Sequence, residues 1–264
     1  MTWQTEELST QTIQESLATQ VIGRRVLYYS SLPSTMDIAR QAAVSGAAEG
    51  TVVIADEQTA GRGRLKRSWL DPAGNVALSV VLYPLLSELP SLIMLASLGV
   101  VHSINTVTGL TAKIKWPNDI LVDGRKTCGI LIETDARPTG DLRAAYAIIG
   151  IGINVNLDPA NFPEIEPTAT SLSLQAGEDI SRLALIRALL TDMDRLYLGL
   201  KSGASLFEEW RDRLVTLGQR VTVTSVDSTY DGIAESVERD GSLMVRCLDN
   251  STRRVVAGDV TLKA

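Results

Sequence analysis

Four cations and two glycines crowd into the nine residues Gly61-Arg62-Gly63-Arg64-Leu65-Lys66-Arg67-Ser68-Trp69. Glycine lets backbone N–H groups approach an anion closely, and arginine offers planar, permanently charged donors that fork onto phosphate or carboxylate oxygens. The chain as a whole is acidic, with 25 Lys+Arg against 31 Asp+Glu and a net charge of -6. No second basic cluster extends the footprint, which weighs against a nucleic-acid surface. A small anionic ligand and a solvated face remain as readings of the loop itself. A phosphate-binding P-loop is excluded, because no Gly-Lys-Ser/Thr sequence opens a helix here.

Lys126 is the second candidate. An alternating strand over 125–133 puts it on one face with Cys128, Ile130 and Ile132, an ammonium on an apolar surface. It either snorkels to water from the strand end or serves as a point charge that neutralises a carboxylate and a phosphate during acyl or phosphoryl transfer. Gly129 beside it permits close ligand approach or marks a bulge. In Trp116-Pro117-Asn118-Asp119 the proline ends regular pairing, so Asn118 and Asp119 either cap a bend or turn toward a ligand.

Gly150-Ile151-Gly152-Ile153-Asn154 fails as a dinucleotide fingerprint, since the third glycine is missing and no helix opens after it. It reads as a closely packed apolar strand, with Asn154 available to a ligand or a neighbouring loop. The single histidine, His102, ends an apolar helix, and no Ser-His-Asp set can be built without it. Cys128 and Cys247 have neither zinc spacing nor a disulfide pattern. What remains is an electrostatic site of Arg, Lys, Asn and backbone N–H groups, suited to charge on a phosphorus centre.

The scaffold for these residues is a chain of 264 residues, 45% hydrophobic, enough to bury a sizeable core in one to two domains. The pattern predicts strands over 51–55 and 75–82 on either side of the basic loop and an N-capped helix over 34–44. It also predicts a buried helix over 92–107, a strand at 113–116 and a hairpin with an Asp123-Gly124 turn between 120–122 and 125–133. Another apolar strand spans 146–155. Leu183, Ile186, Leu190, Met193, Tyr197 and Leu200 make the core stripe of a long helix beginning at Ser181. After Gly218, short alternating strands at 220–226, 229–236, 241–248 and 253–256 make a small β module. The expected division is an N-terminal extension over 1–30 without a core face, a catalytic domain over 31–216 and a β domain over 217–264. The longest apolar run, Leu92 to Val101, is too short to span a membrane, and no secretory signal opens the chain, so the expected compartment is the cytoplasm.

Taken in order, four motifs resemble those of biotin protein ligases, also called biotin–[acetyl-CoA-carboxylase] ligases. They are Pro33-Ser34-Thr35-Met36, Gln58-Thr59-Ala60-Gly61-Arg62-Gly63-Arg64 through Trp69, Lys115-Trp116-Pro117-Asn118-Asp119 through Lys126-Thr127-Cys128-Gly129-Ile130-Leu131, and Gly150-Ile151-Gly152-Ile153-Asn154. The resemblance covers about residues 25–264. It implies an α+β fold: a mixed sheet flanked by helices, of class II synthetase-like type, followed by an SH3-like β-barrel. It also implies a two-step reaction in which biotin and ATP give biotinyl-adenylate and pyrophosphate, and a lysine of a biotin carboxyl carrier protein then takes the biotin.

By that resemblance Ser34, Thr35, Met36 and Gln58 would bind the biotin ureido end, Met36 through its backbone, since some members carry asparagine there. Gly61, Arg62, Gly63 and Arg64 would close over the ligand, with Gly129 allowing close approach. Lys126 would sit between the biotin carboxylate and the α-phosphate, with Arg64 as its catalytic companion. Arg64, Arg67 and Trp69 would hold the adenylate, and Asn118, Asp119 and Asn154 would line the nucleotide side. Mg2+ would ride on the ATP phosphates, with no metal cage in the protein. Only 33 residues precede Ser34, so the expectation is the monofunctional type without specific DNA binding; a homodimer stays open. A lipoate or octanoate ligase of the same fold and a catalytically silent binding module are the rivals.

Overall fold

The computed structural model describes residues 7–138, 142–225, 228–256 and 258–263. Helix α1 (Thr10–Gln14) and strand β1 (Val26–Tyr29) lead into α2 (Thr35–Val44), followed by β2 (Val52–Ala55), β3 (Val76–Leu82) and α3 (Leu92–Thr108). Strands β4 (Ala112–Lys115), β5 (Asp119–Val122), β6 (Arg125–Pro138) and β7 (Ala144–Ile153) come next, then α4 (Leu172–Ala176), α5 (Arg182–Lys201) and α6 (Phe207–Asp212). The chain closes with β8 (Arg220–Thr224), β9 (Thr229–Val237), β10 (Leu243–Cys247), β11 (Thr252–Val255) and β12 (Asp259–Leu262).

The fold is α+β. One mixed sheet has the order β1-β2-β3-β7-β6-β5-β4, with β1 and β2 parallel and the other neighbours antiparallel. Its two faces are covered unequally. Ile54, Leu78, Val80, Ile130, Ile149 and Ile151 on one face join Leu95 and Leu98 of α3 and Leu189 and Met193 of α5 in the main core. Gly99 allows the two helices to approach, since a Cβ there would stand 2.7 Å from Met193 Cγ. Leu86–Thr108 is long and apolar enough to cross a membrane, yet Leu92, Leu95, Leu98 and Val101 are fully buried in this core. On the other face the short α2 sets Met36, Ala39 and Ala43 on Val53, Val81 and Ile148. That cluster is small, and the uncovered remainder of the face is where the cavity forms.

The β5–β6 hairpin turns through Asp123 (φ 49°) and Gly124 (φ 72°), the two left-handed positions that a two-residue connection of this type demands. The segment ahead of residue 30, expected as an extension without a core face, is woven into the domain. Leu8, Ile13 and Ile22 are buried, β1 is the edge strand beside β2, and the Asp194 carboxylate on α5 accepts backbone N–H groups from Gln20, Val21 and Ile22 at 2.8 Å each. Those apolar residues are too widely and irregularly spaced to register as a period. Residues 1–6 lie outside the described residues.

The second sheet is antiparallel, in the order β11-β10-β9-β8-β12, and forms the SH3-like module. Strand β12 pairs with β8 and is an addition to the four expected strands; Val226, the expected end of the first, lies outside the described residues. The module is anchored to the large sheet through Trp116, whose backbone N–H donates to Thr216 Oγ1 at 2.9 Å and whose indole Nε1 donates to the Gly241 carbonyl at 2.8 Å.

Candidate active site

Cross-strand register fixes where the cavity lies. On the α2 face of the large sheet, one row across the strands reads Ala55, Ala77, Gly152, Gly129 and Asp119, and the next reads Val53, Ser79, Gly150 and Leu131. The absence of bulk in these rows is what leaves room above the sheet. A Cβ at Gly152 would stand 2.4 Å from Trp69 Cε2, one at Gly129 2.9 Å from Trp69 Cζ3, and one at Gly150 2.5 Å from Met36 Sδ. The glycines thus let the Trp69 indole and the Met36 thioether lie close over the strands, and they form a cavity with the residues around them.

One end of the cavity is uncharged and rich in hydroxyls. Ser34 takes the N-cap position of α2, but its hydroxyl makes no capping bond and is buried without a partner. The Thr35 N–H, one of the free donors at a helix start, donates instead to Gln58 Oε1 at 2.8 Å, and the Thr35 hydroxyl donates to the same oxygen at 3.1 Å. Ser79 Oγ donates to Thr35 Oγ1 at 2.8 Å, and Gln58 Nε2 donates to Asp71 Oδ2 at 3.0 Å. Burial pushes the Asp71 carboxyl up to about 7, against the lowering pull of the Gln58 hydrogen bond.

The other end is cationic. Lys126 Nζ lies 2.6 Å from Asp119 Oδ1 and 5.6 Å from the Trp69 ring centroid. Simple alternation predicts Lys126 on the face of Cys128 and Ile130, and the structure overturns this. The β5–β6 register shifts between the Ile120–Cys128 and Leu121–Lys126 pairs, leaving Thr127 as the extra residue of a bulge. Lys126 is thereby turned to the Gly129 side, its Nζ 3.4 Å from where a Gly129 Cβ would be, while Cys128 stays fully buried on the opposite face. Burial pushes the Cys128 thiol up, away from the thiolate form.

The basic loop closes as a small hairpin over this end. Trp69 N–H donates to the Gly61 carbonyl at 2.8 Å and Gly63 N–H to the Arg67 carbonyl at 2.7 Å, with Leu65 at φ 54° near the tip. A Cβ on Gly61 would stand 2.4 Å from the Trp69 carbonyl oxygen, so Gly61 serves the closeness of the two loop strands. Arg64 Nη1 donates to Asn118 Oδ1 at 2.7 Å and Nη2 to the Gly258 carbonyl at 3.0 Å. Burial pulls the Arg64 guanidinium below its ordinary value. Arg67 pairs with Asp259, and Arg62 lies 2.8 Å from Asp37 Oδ1 and 3.3 Å from Glu133 Oε1.

Ser34, Thr35, Met36, Gln58, Arg62, Gly63, Arg64, Arg67, Trp69, Asn118, Asp119, Lys126 and Gly129 all line this one cavity. Two expected members are not in its wall. Gly61 sits at the loop base, and Asn154 is buried, donating from Nδ2 to the Thr170 carbonyl at 3.1 Å and from its backbone to Thr127 at 2.8 Å. Asn154 therefore joins the end of β7 to the segment before α4. Asp259 also lines the cavity and was not anticipated; it arrives from the β module, about 190 residues downstream of the loop it meets, and no local pattern marks it. Ser79 and Asp71 were missed because each reads locally as an ordinary strand or turn residue. Among the described residues no group of three or more His, Cys, Asp or Glu side chains is placed to hold a metal ion.

Residues 28–154 match the Biotin/lipoate A/B protein ligase family, and residues 216–263 match the Biotin protein ligase C terminal domain. The "Bifunctional ligase/repressor BirA" of Bacillus subtilis is 37% identical over 262 residues, spanning 97% of this chain and 79% of that protein. The "Biotin--[acetyl-CoA-carboxylase] ligase" of Mycobacterium tuberculosis is 33% identical over 266 residues, spanning 94% of each. Among solved structures, the biotin protein ligase from Aquifex aeolicus in complex with biotin and ATP superposes with a TM-score of 0.75 at 25% identity, covering 91% of this chain and 99% of that one. With its glycine-floored cavity, its cationic loop and its C-terminal β module, the chain belongs to the biotin protein ligase family.

Proposed function

We propose that the cavity activates biotin with ATP and passes it to a lysine of a biotin carboxyl carrier domain. The observation that carries this reading is a single cavity joining an uncharged end, with the unpartnered Ser34 hydroxyl beside Thr35 and Gln58, to a cationic end of Lys126, Arg64 and Arg67. A ureido ring offers N–H and C=O groups to the first, and its valerate carboxylate reaches toward the second. There a biotin carboxylate oxygen attacks the α-phosphorus, the bond to the bridging oxygen of pyrophosphate breaks, and pyrophosphate leaves. In the second step the carrier's neutral lysine amine attacks the acyl carbon, AMP leaves, and the amine proton passes to solvent.

Two anions must meet for the first step, and Lys126 is the point charge that holds them together. Its ammonium lies 2.6 Å from Asp119 Oδ1. Arg64 and Arg67 bind the phosphates, Trp69 and Asn118 line the adenylate, and the Arg62–Gly63 backbone covers the reacting atoms. Mg2+ would be carried on the ATP phosphates, whose oxygens are the hard ligands it prefers. That ion would lessen the phosphate charge that the arginines face.

A lipoyl or octanoyl group has no use for the hydroxyl and amide cluster at the uncharged end, so the same site favours biotin. The test is transfer itself. Incubated with ATP, Mg2+ and a carrier domain, the protein should label the carrier lysine with biotin and leave it unmodified when lipoate or octanoate replaces biotin. Lipoylation without biotinylation would assign the other branch of the family.

A further inference from the structure

The hydrogen bonds at the uncharged end of the cavity run in one direction. Ser79 Oγ donates to Thr35 Oγ1, Thr35 Oγ1 donates to Gln58 Oε1, and Gln58 Nε2 donates to Asp71 Oδ2, at 2.8, 3.1 and 3.0 Å. Such a chain needs a terminus that accepts. Asp71 supplies it: the residue is 2% exposed, is held against Gln58 by a backbone bond from Gln58 N–H to the Asp71 carbonyl at 3.1 Å, and lies outside the cavity wall. Its Oδ1 is buried without a partner at hydrogen-bond distance, and the Asn75 side-chain Nδ2 and the Trp69 indole N–H, each likewise unpartnered, lie close enough to the carboxyl to favour its charged form. The Thr35 N–H fixes Gln58 Oε1 from the opposite side at 2.8 Å, so the amide is clamped at both ends.

Direction matters for a ligand. A Thr35 hydroxyl that gives its proton to Gln58 keeps acceptor capacity, and one lone pair beyond the Ser79 bond remains for an N–H group in the cavity. A Gln58 amide released from Asp71 leaves a buried N–H without a partner and frees the side chain to turn. The Ser34 hydroxyl, also buried and unpartnered, stands beside the same end.

We propose that Asp71 is a positioning residue for the biotin-binding end: as the accepting terminus of the Ser79–Thr35–Gln58 chain, it orients Gln58 and keeps Thr35 Oγ1 an acceptor for a ligand N–H. This rests on the biotin reading of the cavity. Asp71 touches no substrate, so its effect falls on recognition of the ureido group, leaving the chemistry at Lys126 as it is.

The experiment is biotin-dependent exchange of labelled pyrophosphate into ATP, with KM for biotin, KM for ATP and kcat measured separately. Asp71→Leu removes the acceptor at similar volume, and the penalty for a buried unpaired donor corresponds to a rise in biotin KM of about tenfold or more. KM for ATP and kcat should stay within about twofold of wild type. Asp71→Asn keeps an acceptor oxygen and should restore the biotin KM. If Asp71→Leu does not fold, Asp71→Ser, whose hydroxyl stops short of Gln58, is read the same way.

A biotin KM unchanged in the acceptor-less variant overturns the assignment. So does a uniform fall in kcat and both affinities, tracking melting temperature and unrelieved by asparagine, since that is what a merely structural residue would give. A wild-type protein that exchanges no pyrophosphate with biotin present would instead remove the biotin reading itself, so the two failures are distinguishable.

Discussion

Lys126 and Asp119 face each other at 2.6 Å across the β5–β6 hairpin, at the end of the row of small residues that floors the cavity. Substrate anions would compete with the Asp119 carboxylate for the same ammonium. Lys126→Ala should fold, since the side chain is one-third exposed and packs no core, yet lose adenylate formation by about 100-fold or more, the roughly 3 kcal/mol expected for removing a preorganised charge once bound substrates exclude water. Lys126→Arg should recover only part, because a planar fork is not a point charge. Rates of biotinyl-adenylate formation with labelled ATP decide this, and a wild-type rate in Lys126→Ala removes the role.

At its rim the 61–69 loop is tied down by ion pairs, Arg62 with Asp37 and Glu133 and Arg67 with Asp259, where the arginine side chains are 39% and 67% exposed. Such pairs hold weakly, about 0–1 kcal/mol each. Amide hydrogen exchange of the loop should therefore be fast without ligand and slow markedly with biotin and ATP, as an adenylate gives the cations a common partner. Equal protection in both states would contradict the clamp.

Arg64 links the loop to Asn118 and to the Gly258 carbonyl of the β module. Arg64→Gly removes both bonds, as well as any charge-assisted contact to the adenylate, worth about 1.5–3 kcal/mol. The mixed anhydride should then escape and acylate bystander lysines. Serum albumin incubated with the variant, biotin and ATP should become biotinylated, whereas the wild type leaves it unmarked. A folded, active Arg64→Gly protein that spares albumin would show that Arg64 is no clamp.

How far the chain announces all this depends on the range of the information. The Gly-Arg loop, the Asp123-Gly124 turn and the α5 stripe are local patterns, and each is where the sequence predicts it. The chemistry of Lys126 is legible from its residue type but its face is not, because a bulge at Thr127 resets the period of two and no residue type announces a bulge. Gly129 and Gly152 are adjacent only once β6 and β7 are in register, so their joint role as a floor is invisible in either strand alone. Asp259 and Asp71 reach the site through tertiary folding, and the bonds of Asn154 to Thr127 and Thr170 join segments that no local pattern links.

Asp71 also imposes a pH dependence on stability. Its carboxyl is pushed by burial from the ordinary 3.8 up to about 7, so the folded state binds its proton more tightly than the unfolded chain does. The stability this provides is fully present below about pH 4 and is lost as pH rises through about 7, at about 1.4 kcal/mol per unit of displacement. Asp71→Asn stays neutral throughout and should therefore melt higher than wild type at pH 8, with the advantage shrinking toward pH 5. Scanning calorimetry at the two values is the check, and an equal difference between the proteins at both would show that Asp71 ionises normally.

The central claim is that one cavity brings biotin's carboxylate to the α-phosphate of ATP, and exchange of labelled pyrophosphate into ATP measures that step alone. Label should enter ATP only when biotin is present, should not do so with lipoate or octanoate, and should fall by about 100-fold or more in Lys126→Ala. Exchange that proceeds without biotin, or that survives the loss of Lys126 undiminished, would contradict the account.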